Sequence, residues 1–589
     1  MPSFAVLAAL SLSAASPALE PLAPDTPIHL GLALNPTHAA ELAELQAAQQ
    51  TPGSADYRRW LTPAEYGGRF GQPPAVYARL AAWLRQGGLE VREFPNHTFV
   101  EARGSASQVS RLLGLELRHV AGALPGVHVA VGEPRFPPEL RGAVLYVAGL
   151  DTRVHLRRWL PESGTYPSAM GPQDLRRFYD LDPLLDAGYV GQAQRLAVLA
   201  TAEPPASVIS PQAIDYFLQN VSDARAPVVF DTLPNPQQDV DPGGGGNQEF
   251  QPDVELQSIG APGAASITLV IPPASEVFTT GVNEIVSNLA DTTAISISLG
   301  YCEQPPVGAM TAMRNLVVQG TLEGQTWSAA SGDFGSNDCG DGVTESVDFP
   351  ASIPEVVAMG GTQVNSPAFD AHDAIPAWQT EVVWSDPANY SAGGGGLSGT
   401  FAAPPWQASL GFTQRSVPDL ALLAGNPGVA ADSSNPFIGV PIAAQLDQFE
   451  GTSASSPLSA GIFALIASRL GCRLGDPHVA LYAMGVAQFD GGPAVFHDVT
   501  SGTNSLFGVP GYSATVGFDS ASGWGTLDVA ALAAAWPGCP VTDGGGFAFD
   551  GGLAAEAPYD PCAFIGCDAG GCTTLPEGPS SCAPACGGA

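Results

Sequence analysis

Three short runs constrain the fold more than anything else in the sequence. Arg195–Ala200, Ser266–Ile271 and Ala294–Leu299 are apolar or small at almost every position, and helix-like segments separate them. A strand with one wet face alternates, whereas a strand apolar throughout has both faces covered, as in a parallel sheet between layers of helices. From Pro167 onward the chain therefore predicts a doubly wound α/β domain of about 370 residues.

The preceding segment follows a different pattern. Ile28–Leu34 reads as a strand, His38–Gln49 and Pro74–Arg85 as amphipathic helices, and Glu90–Glu101 and Ala143–Leu150 as further strands. These make an α+β unit of about 130 residues. Arg153–Pro167 has no period and is bounded by proline and glycine, which marks a linker. At the start, residues 1–18 carry an apolar stretch followed by small residues, as in a secretory signal. No later run reaches the ~18 apolar residues of a membrane helix. The expected division is signal 1–18, small domain 19–152, linker 153–167, large domain 168–537 and tail 538–589.

That tail holds Cys539, Cys562, Cys567, Cys572, Cys582 and Cys586, whereas Cys302, Cys339 and Cys472 lie in the body. Six cysteines in a segment rich in Gly, Pro and Asp read as a disulfide-stapled tail in an oxidising compartment. Zinc is disfavoured because the tail has no histidine and no paired Cys-x-x-Cys knuckles.

The formal charge is −35, with 22 arginines and no lysine. Residues 1–165 hold 14 of those arginines against 14 acids, so the whole excess falls on the large domain and tail. Such a surface cannot bind phosphates, which excludes nucleic acid as a partner.

Glu450-Gly-Thr-Ser-Ala-Ser-Ser-Pro457, followed by the apolar Leu458–Leu470, puts Ser453 on a tight turn at a helix entrance. Helix N-terminal N–H groups there can stabilise a developing oxyanion. An N-capping serine would look similar. A nucleophilic serine needs a base, yet only His372 lies between Pro167 and Ser453, and no Gly-Thr-His pattern surrounds it. This opposes a neutral subtilisin-like enzyme and turns attention to carboxylates. Glu249 and Asp253 are four apart, on one face of a helix, where two carboxyls can push their pKa values apart and one can orient the other as a base. A solvated acidic helix start has the same spacing.

The order of motifs resembles the sedolisin family of serine-carboxyl peptidases, in its kumamolisin-like form, from about residue 25 to 535. The Glu249/Asp253 pair is followed by Ala261-Pro-Gly-Ala264, then Ser331-Gly-Asp-Phe-Gly335, Val347-Asp-Phe-Pro-Ala-Ser352, Met359-Gly-Gly-Thr362, Gly393-Gly-Gly-Gly-Leu-Ser398, Arg415-Ser-Val-Pro-Asp419 and Gly451-Thr-Ser-Ala454. The resemblance implies a subtilisin-like parallel-sheet domain in which Ser453 attacks the peptide carbonyl, Glu249 accepts its proton, Asp253 holds Glu249, and a protonated Asp333 donates to the oxyanion. Standing alone, Asp333 would read as a turn-capping residue. Two positions depart from the family, Gln248 and Pro252. Proline suits only the first helical turn, so Glu249 is expected near the helix start.

Phe496-His-Asp-Val-Thr-Ser-Gly502 and Ala514-Thr-Val-Gly-Phe-Asp-Ser-Ala-Ser-Gly-Trp-Gly525 resemble the family's calcium site. One structural Ca2+ is implied, on the carboxylates of Asp498 and Asp519 and the carbonyls of Val499, Thr515 and Gly517; loop oxygens suit a hard cation. His497 reads as structural. Residues 20 to about 160, including Tyr57-Arg-Arg-Trp-Leu-Thr-Pro-Ala-Glu65, resemble the activation prodomain. The expectation is a secreted, monomeric, acid-acting endopeptidase of protein and peptide substrates. Its own prodomain inhibits it until acid triggers cleavage between about Arg157 and Ala169. Removal of N-terminal tripeptides also occurs on this scaffold. The rival reading is a catalytically silent secreted binding or surface protein, which would be expected to have lost at least one of Ser453, Glu249, Asp253 and Asp333.

Overall fold

Alternation along one strand organises the small domain. The structure, a computed structural model, describes residues 18–540 apart from 125, 154–156, 159–168, 205–208, 237, 242–245, 305, 372–373 and 433–445. The expected signal (but for residue 18), His372 and the tail beyond 540 lie outside the described residues. Strand β1 (Pro27–Leu34) is central in an antiparallel sheet with β2 (Glu90–Glu93), β3 (Phe99–Ser105) and β4 (Val144–Ala148), in the order β2-β3-β1-β4. Its even-numbered Ile28, Leu30, Leu32 and Leu34 pack with Tyr77, Leu80 and Leu84 of α1 (Pro74–Gln86) and Val109 and Leu113 of α2 (Ala106–Leu113). Its odd-numbered residues point the other way, as period two requires, into the large domain. Ala33 joins the large domain's core, a Cβ on Gly31 would lie 2.8 Å from Thr280 Oγ1, and His29 meets Glu276.

The strand expected over Glu90–Glu101 is two strands. The chain turns between them, with His97 at φ 53°, and this turn carries the fully buried Asn96. Asn96 Nδ2 lies within hydrogen-bond reach of Asn283 Oδ1, Ser287 Oγ and Gln319 Oε1 of the large domain, at 3.0–3.1 Å.

A two-residue strand β5 (Arg157–Arg158) follows. The large sheet then begins with β6 (Arg195–Leu199), β7 (Val228–Thr232), helix α3 (Gly246–Gly260), β8 (Ser266–Ile271) and β9 (Ala294–Ile297). Ser298 separates β9 from β10 (Leu299–Cys302), so the run expected over Ala294–Leu299 breaks at the second of its two serines. Helix α4 (Val307–Leu322), β11 (Thr326–Ala330), β12 (Asp348–Phe349), β13 (Val357–Gln363), β14 (Val382–Val383), β15 (Leu420–Leu423) and helix α5 (Thr452–Leu470) complete the frame. The order is β7-β8-β6-β9-β11-β13, with β14 and β15 both on β13. Every pairing is parallel except that of β14. This is the doubly wound α/β architecture that the apolar runs predict.

Helix α5 is buried at every position from Thr452 to Ala467. Such a helix lies inside the fold rather than on it, and its serines tie it to the sheet. Ser456 Oγ donates to Ile297 O, and Ser459 Oγ lies 3.0 Å from Ser328 Oγ. Helix α3 lies against α5 almost backbone to backbone: a Cβ on Gly260 would sit 2.5 Å from the carbonyl carbon of Gly461. Among the described residues no helix is long and apolar enough to cross a membrane.

Two disulfides are present, Cys302–Cys339 and Cys472–Cys539. The second corrects the reading of six cysteines as one self-contained tail, because Cys539 is stapled to the body just after α5.

Candidate active site

The order of the large sheet turns at β6, where the chain leaves one half and starts the other with β9. In open α/β sheets ligands bind beyond the carboxyl ends of strands at such a turn. Ser298 directly follows β9, and Ser331-Gly332-Asp333 directly follows its neighbour β11. Helix α5 delivers Ser453 to the same edge. The N-cap of α5 is Gly451, not Ser453, so the serine is not used as the cap.

Asp333 serves that helix end instead. Its Oδ1 accepts from Thr452 N at 2.8 Å and Thr452 Oγ1 at 2.9 Å. Its Oδ2 faces Gly451, where an added Cβ would lie 2.5 Å away, and Gly451 has φ 112°. Any other residue at 451 would be strained and would crowd that oxygen. Burial pushes the Asp333 carboxyl up to about 7, although the two Thr452 bonds pull the other way. With Oδ1 occupied by two donors, a proton on this carboxyl belongs on Oδ2, which then becomes a hydrogen-bond donor. Glu450 behaves similarly: burial, then Asp386 and Asp333, raise it to about 7.

Glu249 stands in the first turn of α3, as expected. Pro252 does not stand in that turn. It lies inside α3, where its missing N–H withdraws the helical donor from the carbonyl four residues back. Glu249 and Asp253 are both fully buried on the same face. Burial drives Asp253 well above the usual carboxyl range, opposed by the 2.7 Å bond it accepts from Ser298 Oγ.

Ser298 also connects to Ser453. Ser453 Oγ donates to Ser298 O at 3.4 Å, and Ser298 Oγ lies 3.4 Å from Ser453 O. The second contact has a covalent cause. Pro457 lacks the N–H that would otherwise close the helical bond to Ser453 O, so that carbonyl is left for Ser298. Asp253, Ser298, Ser453, Thr452 and Asp333 thus form one buried chain of contacts at the sheet edge. It holds a hydroxyl at a helix start, carboxyls that keep their protons unusually well, and a carboxyl oxygen placed to donate: the components of acyl transfer in acid.

The expected calcium ligands come from two segments that the structure brings together. Gly517 N donates to both carboxylate oxygens of Asp498 at 3.2 Å, and Thr515 N donates to Asp519 Oδ2 at 2.7 Å. Val499 is buried beside Val383 and Ala521. Burial raises both carboxyls, and Asp519 raises Asp498 further. Among the described residues no group of three or more His, Cys, Asp or Glu is placed to hold a metal. Two carboxylates supplemented by main-chain carbonyls nevertheless suit a hard cation in kind. His497 stacks on Trp378 with centroids 4.2 Å apart, a structural role.

Residues 15–153 match the pro-kumamolisin activation domain. The chain is 30% identical over 444 residues to kumamolisin of Bacillus sp. (strain MN-32), covering 72% of this chain and 76% of that protein. It belongs to the sedolisin family. Sedolisin of Pseudomonas sp. (strain 101) is 28% identical over 563 residues, with 90% of this chain and 91% of that protein covered. A solved structure of Pseudomonas sedolisin (serine-carboxyl proteinase), complexed with two molecules of pseudo-iodotyrostatin, superposes with a TM-score of 0.53 at 26% identity. The match covers 63% of this chain and 98% of that one. The chain is thus a sedolisin-family serine-carboxyl peptidase with an activation domain.

Within this sedolisin-type site, Ser298, Thr452 and Glu450 escaped the sequence reading. Thr452 lies inside the Gly-Thr-Ser motif and Glu450 directly precedes it, so both could have been noted there. Ser298 was hidden in an apolar run, and only its place at a parallel strand's carboxyl end could have singled it out.

Proposed function

We propose that Ser453 is the nucleophile of an acid-acting endopeptidase, with Glu249 as general base, Asp253 as the residue that orients Glu249, and Asp333 as the oxyanion donor. The hydroxyl of Ser453 gives its proton to Glu249 as Oγ bonds to the scissile carbonyl carbon. The carbonyl oxygen, now negative, takes a hydrogen bond from protonated Asp333 Oδ2. Glu249 then protonates the leaving amine, and water repeats the sequence to free the acyl group from Ser453. The observation that carries this reading is the division of labour on Asp333, with Oδ1 accepting twice and Oδ2 left to donate, in a carboxyl raised to about 7. Such a donor works only while protonated, which supports action in acid.

The small domain acts as the inhibitor in this reading. The backbone pairing of β5 with β10 supports it: Arg158 is opposite Leu299 and Gly300 opposite Arg157, antiparallel, one residue beyond Ser298. Arg157 and Arg158 add to that strand as an edge, the way an extended peptide would. Among the described residues few charge pairs cross between the domains. Arg92 Nη2 meets Glu284 at 3.2 Å, while Arg69, Arg85, Arg118 and Arg153 pair with acids of their own domain. The buried crossing is His29, whose Nδ1 lies 2.8 Å from Glu276 Oε1. Burial alone would lower His29, yet Glu276 and Glu101 raise it to about 9. Burial alone would raise Glu276, yet His29 holds it below the usual range. A depressed carboxyl contributes docking energy above its unfolded pKa and loses it as pH falls through the folded value. The raised His29 contributes docking energy that is full below its ordinary 6.5 and lost as pH rises through about 9, so the pair is strongest between these limits and acid loosens it only below the ordinary 4.5 of Glu276.

Asp498, Asp519 and the carbonyls of Val499, Thr515 and Gly517 would hold one structural Ca2+. When bound it would neutralise the buried Asp519 and the half-buried Asp498 and lock their loops. The apolar amino-terminal stretch and the disulfides support secretion.

Hydrolysis of a denatured protein by the processed enzyme tests the catalytic assignment. Activity at pH 3 to 5 that vanishes in Ser453→Ala and Glu249→Gln is expected; activity surviving in either variant would overturn it.

A further inference from the structure

An aromatic ladder leads out of the site. Phe334, next to Asp333, lies 5.8 Å from the ring of Phe507, which stacks on Tyr390 at 5.9 Å and 9°. Tyr390 and Phe507 are 65% and 36% exposed. Together with Pro387, Leu506, Val509 and Pro510 they line an open cavity of about 400 Å³.

Both outer residues adopt left-handed backbone, φ 56° at Tyr390 and φ 54° at Phe507. Bulky side chains rarely occupy that region. Two stacked aromatics, both strained and both presented to solvent, are not explained by core packing. Strain of this kind concentrates at binding sites. The ladder is fixed to the catalytic turn: Gly335 N donates to Ala392 O at 2.9 Å, and Ser336 N to Asn504 O at 3.2 Å. Hence the loops bearing Tyr390 and Phe507 are both hydrogen-bonded to the segment that carries Asp333.

We propose that Tyr390 and Phe507, continued inward by Phe334, form a substrate subsite that takes an aromatic or large aliphatic side chain near the scissile bond. The occupant follows from continuity with the catalytic edge. Phe334 adjoins Asp333, and the two ring separations of 5.8 and 5.9 Å together match roughly three or four extended residues at ~3.3 Å each, the scale of a peptide side chain a few positions from the scissile bond. The lining is apolar. The nearby carboxyls include Asp386, which precedes Pro387, Glu450, which is uncharged in acid because its raised pKa is about 7, and Asp341, whose neighbour Gly342 would bring a Cβ to 3.8 Å from Phe507 O and which the bonds it accepts from Thr344, Asn337 and Val343 hold below the usual range.

The proposal rests on the catalytic reading above, and its test separates the two. The processed enzyme is given internally quenched peptides at pH 4, with each position around the cleavage point varied among Phe, Leu, Ser and Arg. In the wild type, one position should favour Phe or Leu over Ser about tenfold, ~1.4 kcal/mol. Read as a ratio within each enzyme, so that any general loss of activity cancels, the preference should fall to about twofold in Phe507→Ala and Tyr390→Ala, and Phe507→Leu should restore most of it. Phe507→Gly should lose the preference without lowering Tm, since glycine accepts the left-handed backbone. Unchanged ratios in the alanine variants, or a preference for Arg at that position, would overturn the subsite and leave the catalytic assignment standing. A wild type that cleaves nothing at any pH would overturn both.

Discussion

Replacing Asp333 by asparagine separates geometry from titration. The amide oxygen can take over from Oδ1 and accept the two Thr452 bonds, and the amide nitrogen falls where Oδ2 stood, facing Gly451. The oxyanion donor is kept, but it no longer titrates. In the wild type, moving this carboxyl from an ordinary value of 3.8 to about 7 corresponds to about 4 kcal/mol favouring the protonated form. Protonation is essentially complete at pH 4, about half at pH 7, and lost about tenfold per pH step above that. We predict a wild-type kcat/KM that falls at this slope above pH 7, and an Asp333→Asn enzyme in which that fall is absent. Asp333→Ala, which deletes the donor, should cost about 10²–10³ in kcat at every pH. Stability gives a second reading of the same group. A raised carboxyl binds its proton more tightly folded than unfolded, so folding loses stability as pH rises from about 4 to 7. Asp333→Asn should therefore gain up to about 4 kcal/mol relative to wild type between pH 4 and pH 8, measured by urea unfolding at both pH values. The precursors of both variants can be processed with a trace of mature wild type, which makes the assay independent of self-cleavage. An Asp333→Asn enzyme that keeps the wild-type fall near pH 7, with no change in the pH dependence of unfolding, would refute the reasoning.

Other consequences are more local. Ser298→Ala removes the bond to Asp253 inside a dry site, so unfolding should be easier by about 1–3 kcal/mol and kcat should fall more than KM changes. His29→Ala leaves Glu276 buried without its cation, and half-maximal processing of the precursor should move to higher pH on a denaturing gel. Chelating calcium from the mature enzyme should lower Tm, and Asp519→Asn should blunt that response.

The sheet was legible because fully apolar runs carry their own explanation, and Ser266–Ile271 is a strand over that same span. The prodomain strand Glu90–Glu101 misled because the turn signal Pro95-Asn96 inside it was passed over, and Asn96 at that turn is held by partners across the domain interface. The site divides in the same way. Glu249, Asp253, Asp333 and Ser453 sit in ordered motifs, so a linear reading could single them out. Ser298 acts by joining groups 45 and 155 residues away, and nothing local records that. Pro252 looked anomalous inside a helix until Pro457 offered a parallel: each interrupts its helical ladder within a few residues of a catalytic candidate. Pairing of Cys539 with Cys472 likewise depends on where α5 ends, not on cysteine spacing.

The central claim is tested most directly by incubating purified precursor at pH 4 and pH 7, as wild type and as Ser453→Ala, and following intact mass. The account predicts cleavage between about Arg157 and Ala169 in the wild type at pH 4 and little at pH 7, with no cleavage of Ser453→Ala unless mature wild type is added. Equal processing at both pH values, or processing of Ser453→Ala alone, would contradict it.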